Sequence, residues 1–202
     1  MKDFMYNLFP IPIGFYNLGR DLTEDELSFI RNLELRPNIA NKTSVNNLVL
    51  RESVMTNLRQ FIEDSLSEYF NETDNPKHNV GLRITQSWCN FSEPGQAHHR
   101  HAHPNSYVSG VFYVQTNPTD RIYFYRDSWK QIKLPPQEWN AYNSESWWFE
   151  ATECRLILFP SSLEHMVQVV DGKKERISLS FNTFPVGIVG EEMNLTGLRL
   201  EA

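Results

Sequence analysis

Residues 98–114 read HHRHAHPNSYVSGVFYV. Four of the chain's six histidines crowd the first six positions, and the stretch then becomes a run of β-branched and aromatic residues that reads as a strand. Alternate side chains of an extended segment share a face, so His99, His101 and His103 point one way and His98 and Arg100 the other. Two imidazoles at i and i+2 reach a single cation, and imidazole suits iron, zinc, copper and nickel. One strand cannot complete a coordination shell, so another ligand has to come from elsewhere. The remaining histidines are His78, in a loop, and His165, in FPSSLEHMVQVV between two strand-like runs. The competing reading is a solvated loop that binds nothing, and the tract alone leaves the two even.

Downstream and upstream of this stretch, the segments LRITQSWCNF, SYVSGVFYVQ, RIYFYRD, ESWWFEA, CRLILFP, MVQVV and RISLSFNTF each read as a strand, at a spacing that predicts a sandwich or barrel. The first twenty residues predict one or two short extended segments. Two helices precede the β-rich part. DLTEDELSFIRNLEL has Thr23 as N-cap with Glu26 three residues on, a capping box, and Leu27, Ile30 and Leu33 on one face. A second helix is predicted from about Leu50 to Phe70, with Met55, Leu58, Ile62, Leu66 and Tyr69 as its apolar stripe. Residues 37–49 and 71–79 read as loops. At 202 residues one domain is expected over 1–202, with helical support over about 1–79 packed outside a β-barrel core of about 80–185.

The segment ERISLSFN, residues 175–182, alternates clearly: Arg176, Ser178, Ser180 and Asn182 on one face, Ile177, Leu179 and Phe181 on the other. Alternation alone favours a strand with its polar face in water. The functional reading is a polar barrel interior in which Arg176 meets a carboxylate through its planar fork.

HAHPNSYVSGVFYV, LILFPSSLEHMV and ERISLSFN, in that order, resemble the iron(II)- and 2-oxoglutarate-dependent oxygenase superfamily, and most closely its subgroup with an H-x-H-P-N-S…S-G-V-Y-Y-V type motif. The resemblance is best from about Leu82 to Phe184. It implies a mainly β fold with N-terminal helices, a double-stranded β-helix (jelly roll, cupin-like). It implies Fe(II), 2-oxoglutarate and O2 as cofactor and cosubstrates, and an oxidoreductase, a dioxygenase acting as a hydroxylase on a protein side chain such as proline, a nucleobase or a small metabolite. Carried over position by position, His101, His103 and His165 become metal ligands, with His103 in the place of the usual carboxylate. Arg176 becomes the anchor of the far carboxylate of 2-oxoglutarate, with Ser178 and Tyr113 beside it, while Asn90 and Asn105 flank the metal. Three neutral imidazoles leave a divalent ion with both its charges, which a dianionic cosubstrate neutralises. A carboxylate from Glu93 or Glu164, or a ligand pair shifted to His99 and His101, are the alternatives at the metal. A cupin-like metal enzyme that does not use 2-oxoglutarate, or a non-catalytic jelly-roll module, are the alternatives for the whole.

The remaining features bound these readings. Only two cysteines, Cys89 and Cys154, predict no disulfide framework and a reducing, cytoplasmic setting. The apolar runs are too short to span a membrane, and the first residues carry charges and prolines in place of a signal-peptide pattern. A net charge of −6 weighs against a general nucleic-acid binder. The tryptophans of WNAYNSESWWFE, residues 139–150, are expected to pack the barrel or cover an edge.

Overall fold

The structure, a computed structural model, describes residues 5–126, 132 and 134–201. In chain order its elements are β1 (Gly14–Asn17), α1 (Glu24–Arg31), β2 (Leu35–Pro37), β3 (Lys42–Ser44), α2 (Thr56–Thr73), β4 (Val80–Ser92), β5 (His98–His101), β6 (Val108–Gln115), β7 (Arg121–Tyr125), β8 (Ser146–Glu150), β9 (Arg155–Pro160), β10 (His165–Val167), β11 (Arg176–Val189) and β12 (Leu198–Leu200). One sheet has the order β1-β9-β6-β11-β4-β3-β2, with β12 on β11, and the other the order β5-β10-β7-β8. From β4 to β11 the chain passes back and forth between the two sheets, and the ladders are antiparallel. This is the jelly-roll, double-stranded β-helix architecture.

Strand β11 lies between β4 and β6, and its alternation decides what each face of the large sheet does. Ile177, Leu179 and Phe181 face outward with Cys89, Phe91, Phe112 and Val114, and pack on Leu58, Ile62 and Leu66 of α2 and Ile30 of α1. The helices therefore cover the outside of the barrel, as their apolar stripes predict. The opposite face looks into the space between the sheets, where Val111, Tyr113, Ile122, Phe124, Ile157 and Phe159 form a second, smaller cluster. Arg176, Ser178 and Asn182 are buried there. The polar side of ERISLSFN thus lines the interior and does not face water.

Helix α1 starts as its cap dictates: Thr23 Oγ1 accepts from the Glu26 N–H at 3.2 Å, and Glu26 Oε2 accepts from the Thr23 N–H at 2.8 Å. Two local expectations are corrected. The loop expected over residues 37–49 contains β3, which pairs with β4 through Lys42–Phe91 and Thr43–Asn90. The second helix begins at Thr56, because residues 49–55 form two short 3-10 turns interrupted by an extended Glu52, with the Leu50 N–H tied to Ser87 Oγ of β4 at 2.9 Å. Both differences come from pairing with β4, which local periodicity does not encode. Among the described residues no helix is long and apolar enough to cross a membrane.

The tryptophans of residues 139–150 do not pack the barrel. Trp147 and Trp148 lie on the edge strand β8, partly exposed, with the Arg121 guanidinium 4.1 Å over the Trp148 ring, and Trp139 is largely exposed.

Gly110 of β6 leaves the space that Phe181 fills. A Cβ there would lie 2.2 Å from Phe181 Cζ and 2.9 Å from Leu158 Cδ2. Gly110→Ala is therefore expected to destabilise the fold by about 1–3 kcal/mol, read as a lower urea midpoint with an unchanged slope. An unchanged midpoint would mean that Phe181 is not packed there.

Candidate metal centre

Strands β5 and β10 are neighbours, and their register sets His101 opposite His165. The two rings lie 4.4 Å apart. His103 follows β5 in the turn leading to β6, where its backbone N–H donates to the Ser161 carbonyl at 2.9 Å. Its ring is 4.9 Å from that of His101 and 5.1 Å from that of His165, and the Nε2 atoms of His103 and His165 are 3.3 Å apart. One nitrogen of each of the three residues lies within 4.8 Å of the others.

Backbone carbonyls set the tautomers. Nδ1 of His101 lies 2.8 Å from the His99 carbonyl, and Nδ1 of His165 lies 3.0 Å from the Leu163 carbonyl. A carbonyl only accepts, so Nδ1 carries the proton in both rings and Nε2 keeps its lone pair. Burial pushes the pKa of His103 down to about 4 and that of His165 to about 3, with the neighbouring imidazoles adding to it, and burial lowers His101 as well. All three are neutral near pH 7, the form that ligates a metal.

Simple alternation fails at His98. His165 pairs with His101 but Val167 pairs with His98, so three residues of β5 span two of β10. This bulge brings His98 to the face of His101, with the rings stacked at 4.7 Å. His98, His99 and His101 form a second close group, but the group containing His165 is His101 with His103. The carboxylates weighed as ligands are elsewhere. Glu164 receives the Arg100 Nε–H at 2.8 Å, and Arg100 lies over the Tyr125 ring. Glu93 pairs with Lys42 at 2.7 Å. Both pairs are partly exposed, and no carboxylate joins the triad among the described residues.

A partly enclosed pocket adjoins the triad, lined also by Trp88, Asn90, His98, Val111, Tyr113, Ser178 and Ser180. Ser178 is the register partner of both Asn90 on β4 and Tyr113 on β6, so the three form one row across the sheet. Asn90 donates through Nδ2 to Ser180 Oγ at 3.1 Å, but its Oδ1 and the Tyr113 hydroxyl are buried without a hydrogen-bond partner. Burial raises the Tyr113 pKa well above its ordinary value, so the phenol remains a donor. Orphaned polar atoms of this kind are costly unless a ligand satisfies them. A carboxylate at the Tyr113 hydroxyl and a divalent metal at three neutral imidazoles both fit the donor set.

Arg176 is buried at the end of the same strand, outside the residues that line the pocket, and its surroundings differ from expectation. Its Nη1 donates to Asp120 Oδ1 at 3.2 Å and to the Gln168 carbonyl at 3.4 Å. Arg176 already has a carboxylate beside it. Asp120 lies in the turn before β7, within NPTD, and nothing in that tetrapeptide distinguishes it from an ordinary turn acid. Trp88, His98 and Ser180, which line the pocket, and Asp120, which pairs with Arg176, are not among the site residues expected from the sequence. Asn105 is corrected in the other direction: it is exposed, outside the pocket lining, in a left-handed turn with φ 59°. Asparagine tolerates that conformation better than most residues, which accounts for it there.

Residues 86–182 match a family described as "Putative 2OG-Fe(II) oxygenase". Among solved structures, a prolyl-4-hydroxylase from Pseudomonas putida is 15% identical, with a TM-score of 0.58, over 85% of this chain and 92% of that one. HygX from Streptomyces hygroscopicus, solved with nickel, 2-oxoglutarate and hygromycin B bound, is 12% identical, with a TM-score of 0.59, over 86% of this chain and 82% of that one. A prolyl hydroxylase from Trichoplax adhaerens, in complex with a hypoxia inducible factor oxygen degradation domain peptide fragment, is 14% identical, with a TM-score of 0.57, over 85% and 83%. At these identities the likeness is one of fold. No curated protein matches the chain by sequence at a significant level. The matched segment contains the histidine triad and the Asn90–Ser178–Tyr113 row, so the part of the chain that is similar to the 2OG-Fe(II) oxygenase family is the part that carries the candidate metal centre.

Proposed function

We propose that the chain is a hydroxylase in which His101, His103 and His165 hold the iron, and Tyr113, Ser178 and Arg176 hold 2-oxoglutarate. The observation that carries this reading is the convergence of three neutral imidazoles beside a pocket wall with a buried, unpartnered phenol. When bound, the metal and cosubstrate supply the oxidising chemistry, in which O2 and 2-oxoglutarate are consumed, succinate and carbon dioxide are released, and a substrate C–H bond becomes C–OH.

The chain's own residues bind and orient. The carbonyls of His99 and Leu163 keep two Nε2 lone pairs aimed at the metal position. The Tyr113 hydroxyl and Ser178 donate to the distal carboxylate. The Nε and Nη2 protons of Arg176 are left for it, since both hydrogen bonds of Arg176 leave from Nη1. Asn90 places its amide beside Ser180 on the same wall. The substrate is a protein side chain such as proline, a nucleobase or a small metabolite. The relatives of similar fold include prolyl hydroxylases and a protein solved with hygromycin B, which span two of these classes.

Calorimetric titration of the metal-free protein with Ni(II) tests the ligand set. One site is expected, with His103→Ala and His165→Ala each weakening it by roughly 100-fold, and His103→Asp retaining it. Wild-type affinity in His103→Ala would place His103 outside the coordination shell.

The cosubstrate residues are read from the iron–cosubstrate absorption band under nitrogen and from succinate formation, both against 2-oxoglutarate concentration. Tyr113→Phe is expected to raise the apparent dissociation constant by about fivefold, the worth of one hydrogen bond. Arg176→Ala is expected to raise it further while leaving metal binding in place, and to cost about 3 kcal/mol of stability because Asp120 is left buried without its partner. Arg176→Lys rescues only in part, since an ammonium lacks the fork. A 2-oxoglutarate dependence unchanged in both Tyr113→Phe and Arg176→Ala would sink the cosubstrate assignment.

A further inference from the structure

The charges of the loaded pocket do not close with the metal, 2-oxoglutarate and Arg176 alone. Three neutral imidazoles leave a divalent ion with two positive charges, and dianionic 2-oxoglutarate balances them. Arg176 then adds one uncompensated positive charge in a site screened from water, where unbalanced charge is costly. Resting on that reading, we propose that Asp120 is the pocket's negative charge: it balances Arg176, supplying beside the anchor the carboxylate that position 103 does not supply at the metal.

The geometry supports this residue above the others. Among the described residues the buried acids are Glu26 and Asp120, and Glu26 caps α1 and pairs with Arg20 at 2.7 Å. The side chains of Asp120 and Arg176 are 2% and 4% exposed. Asp120 Oδ1 accepts from Arg176 Nη1, and Oδ2 accepts from the Asn117 backbone N–H at 2.7 Å and from its Nδ2 at 3.3 Å. All three partners are donors, so both oxygens accept and neither has a place for a proton.

The support is rigid. Asn117 Nδ2 donates to the Lys174 carbonyl at 2.8 Å and its Oδ1 accepts from the Lys174 N–H at 3.1 Å. Gly172 packs so closely on Asn117 that a Cβ there would lie 2.1 Å from Oδ1. The turn before β7 is thereby fastened to the turn before β11, and Asp120 reaches Arg176 from a fixed base. Holding Nη1, it also turns the rest of the guanidinium away from itself. The charge of Arg176 is felt at Tyr113 and His98, both of which line the pocket. Asp120 is a positioning residue that acts through Arg176.

The test is calorimetric binding of 2-oxoglutarate to Ni(II)-loaded protein, in the wild type, Asp120→Asn, His103→Asp and the double variant. His103→Asp adds a negative charge and is expected to weaken 2-oxoglutarate by roughly tenfold. Asp120→Asn removes one and is expected to tighten it by several-fold in either background, so that the double variant returns to within about threefold of the wild type. The metal-free Asp120→Asn protein melts lower, because an amide offers an acceptor on one side only. A merely structural Asp120 gives the opposite sign: Asp120→Asn weakens 2-oxoglutarate with either residue at 103, and that result overturns the inference while leaving the assigned function standing. A wild type that takes up nickel but not 2-oxoglutarate overturns both.

Discussion

Strand β11 is hydrogen-bonded to β4 on one side and β6 on the other, and it has one apolar and one polar face. A strand in the middle of a sheet cannot turn either face aside. The apolar face is covered by α1 and α2, and the polar face has to be satisfied within the barrel. Much of it is. Ser109 Oγ lies 2.7 Å from Ser161 Oγ and donates to Asn182 Oδ1 at 2.9 Å, and Asn90 reaches Ser180. Of the buried polar atoms left without a partner among the described residues, the Tyr113 hydroxyl and Asn90 Oδ1 lie in the pocket beside the histidines. Departures from full hydrogen bonding are expected at ligand sites and are expensive elsewhere.

Charge is distributed by the same constraint. The two glutamates near the triad in sequence, Glu93 and Glu164, are drawn to the surface by Lys42 and Arg100. The imidazoles remain neutral because burial opposes their protonation. The buried guanidinium and the buried carboxylate of the barrel are therefore left to each other, beside imidazoles that stay neutral. That arrangement suits the proposed binding of a dianion beside a dication.

A good part of this was legible in local sequence. The capping box at Thr23 and Glu26, the apolar stripe from Met55 to Tyr69, and the strand pattern from Leu82 to Phe184 each follow from periods and caps that neighbouring residues set among themselves. The grouping of His101 and His103 with His165 was readable from spacing joined to a family resemblance, because the motif keeps its order along the chain. The start of α2 and the existence of β3 were not, since both depend on bonds to β4, some 40 residues on.

By itself, then, the sequence determined which residues alternate, which can ligate a metal, and that a two-faced strand carries the only arginine in ERISLSFN. Tertiary structure decided where those faces look. The bulge in β5 that brings His98 onto His101 arises from pairing with β10, so the strict period of two breaks where the sequence shows no mark. The partner of Arg176 was decided the same way. Asp120 is 56 residues away and reaches it only because Asn117 fastens one turn to another. Periodicity is a property of adjacent residues, whereas register and charge pairing are settled between strands that meet only in the folded barrel.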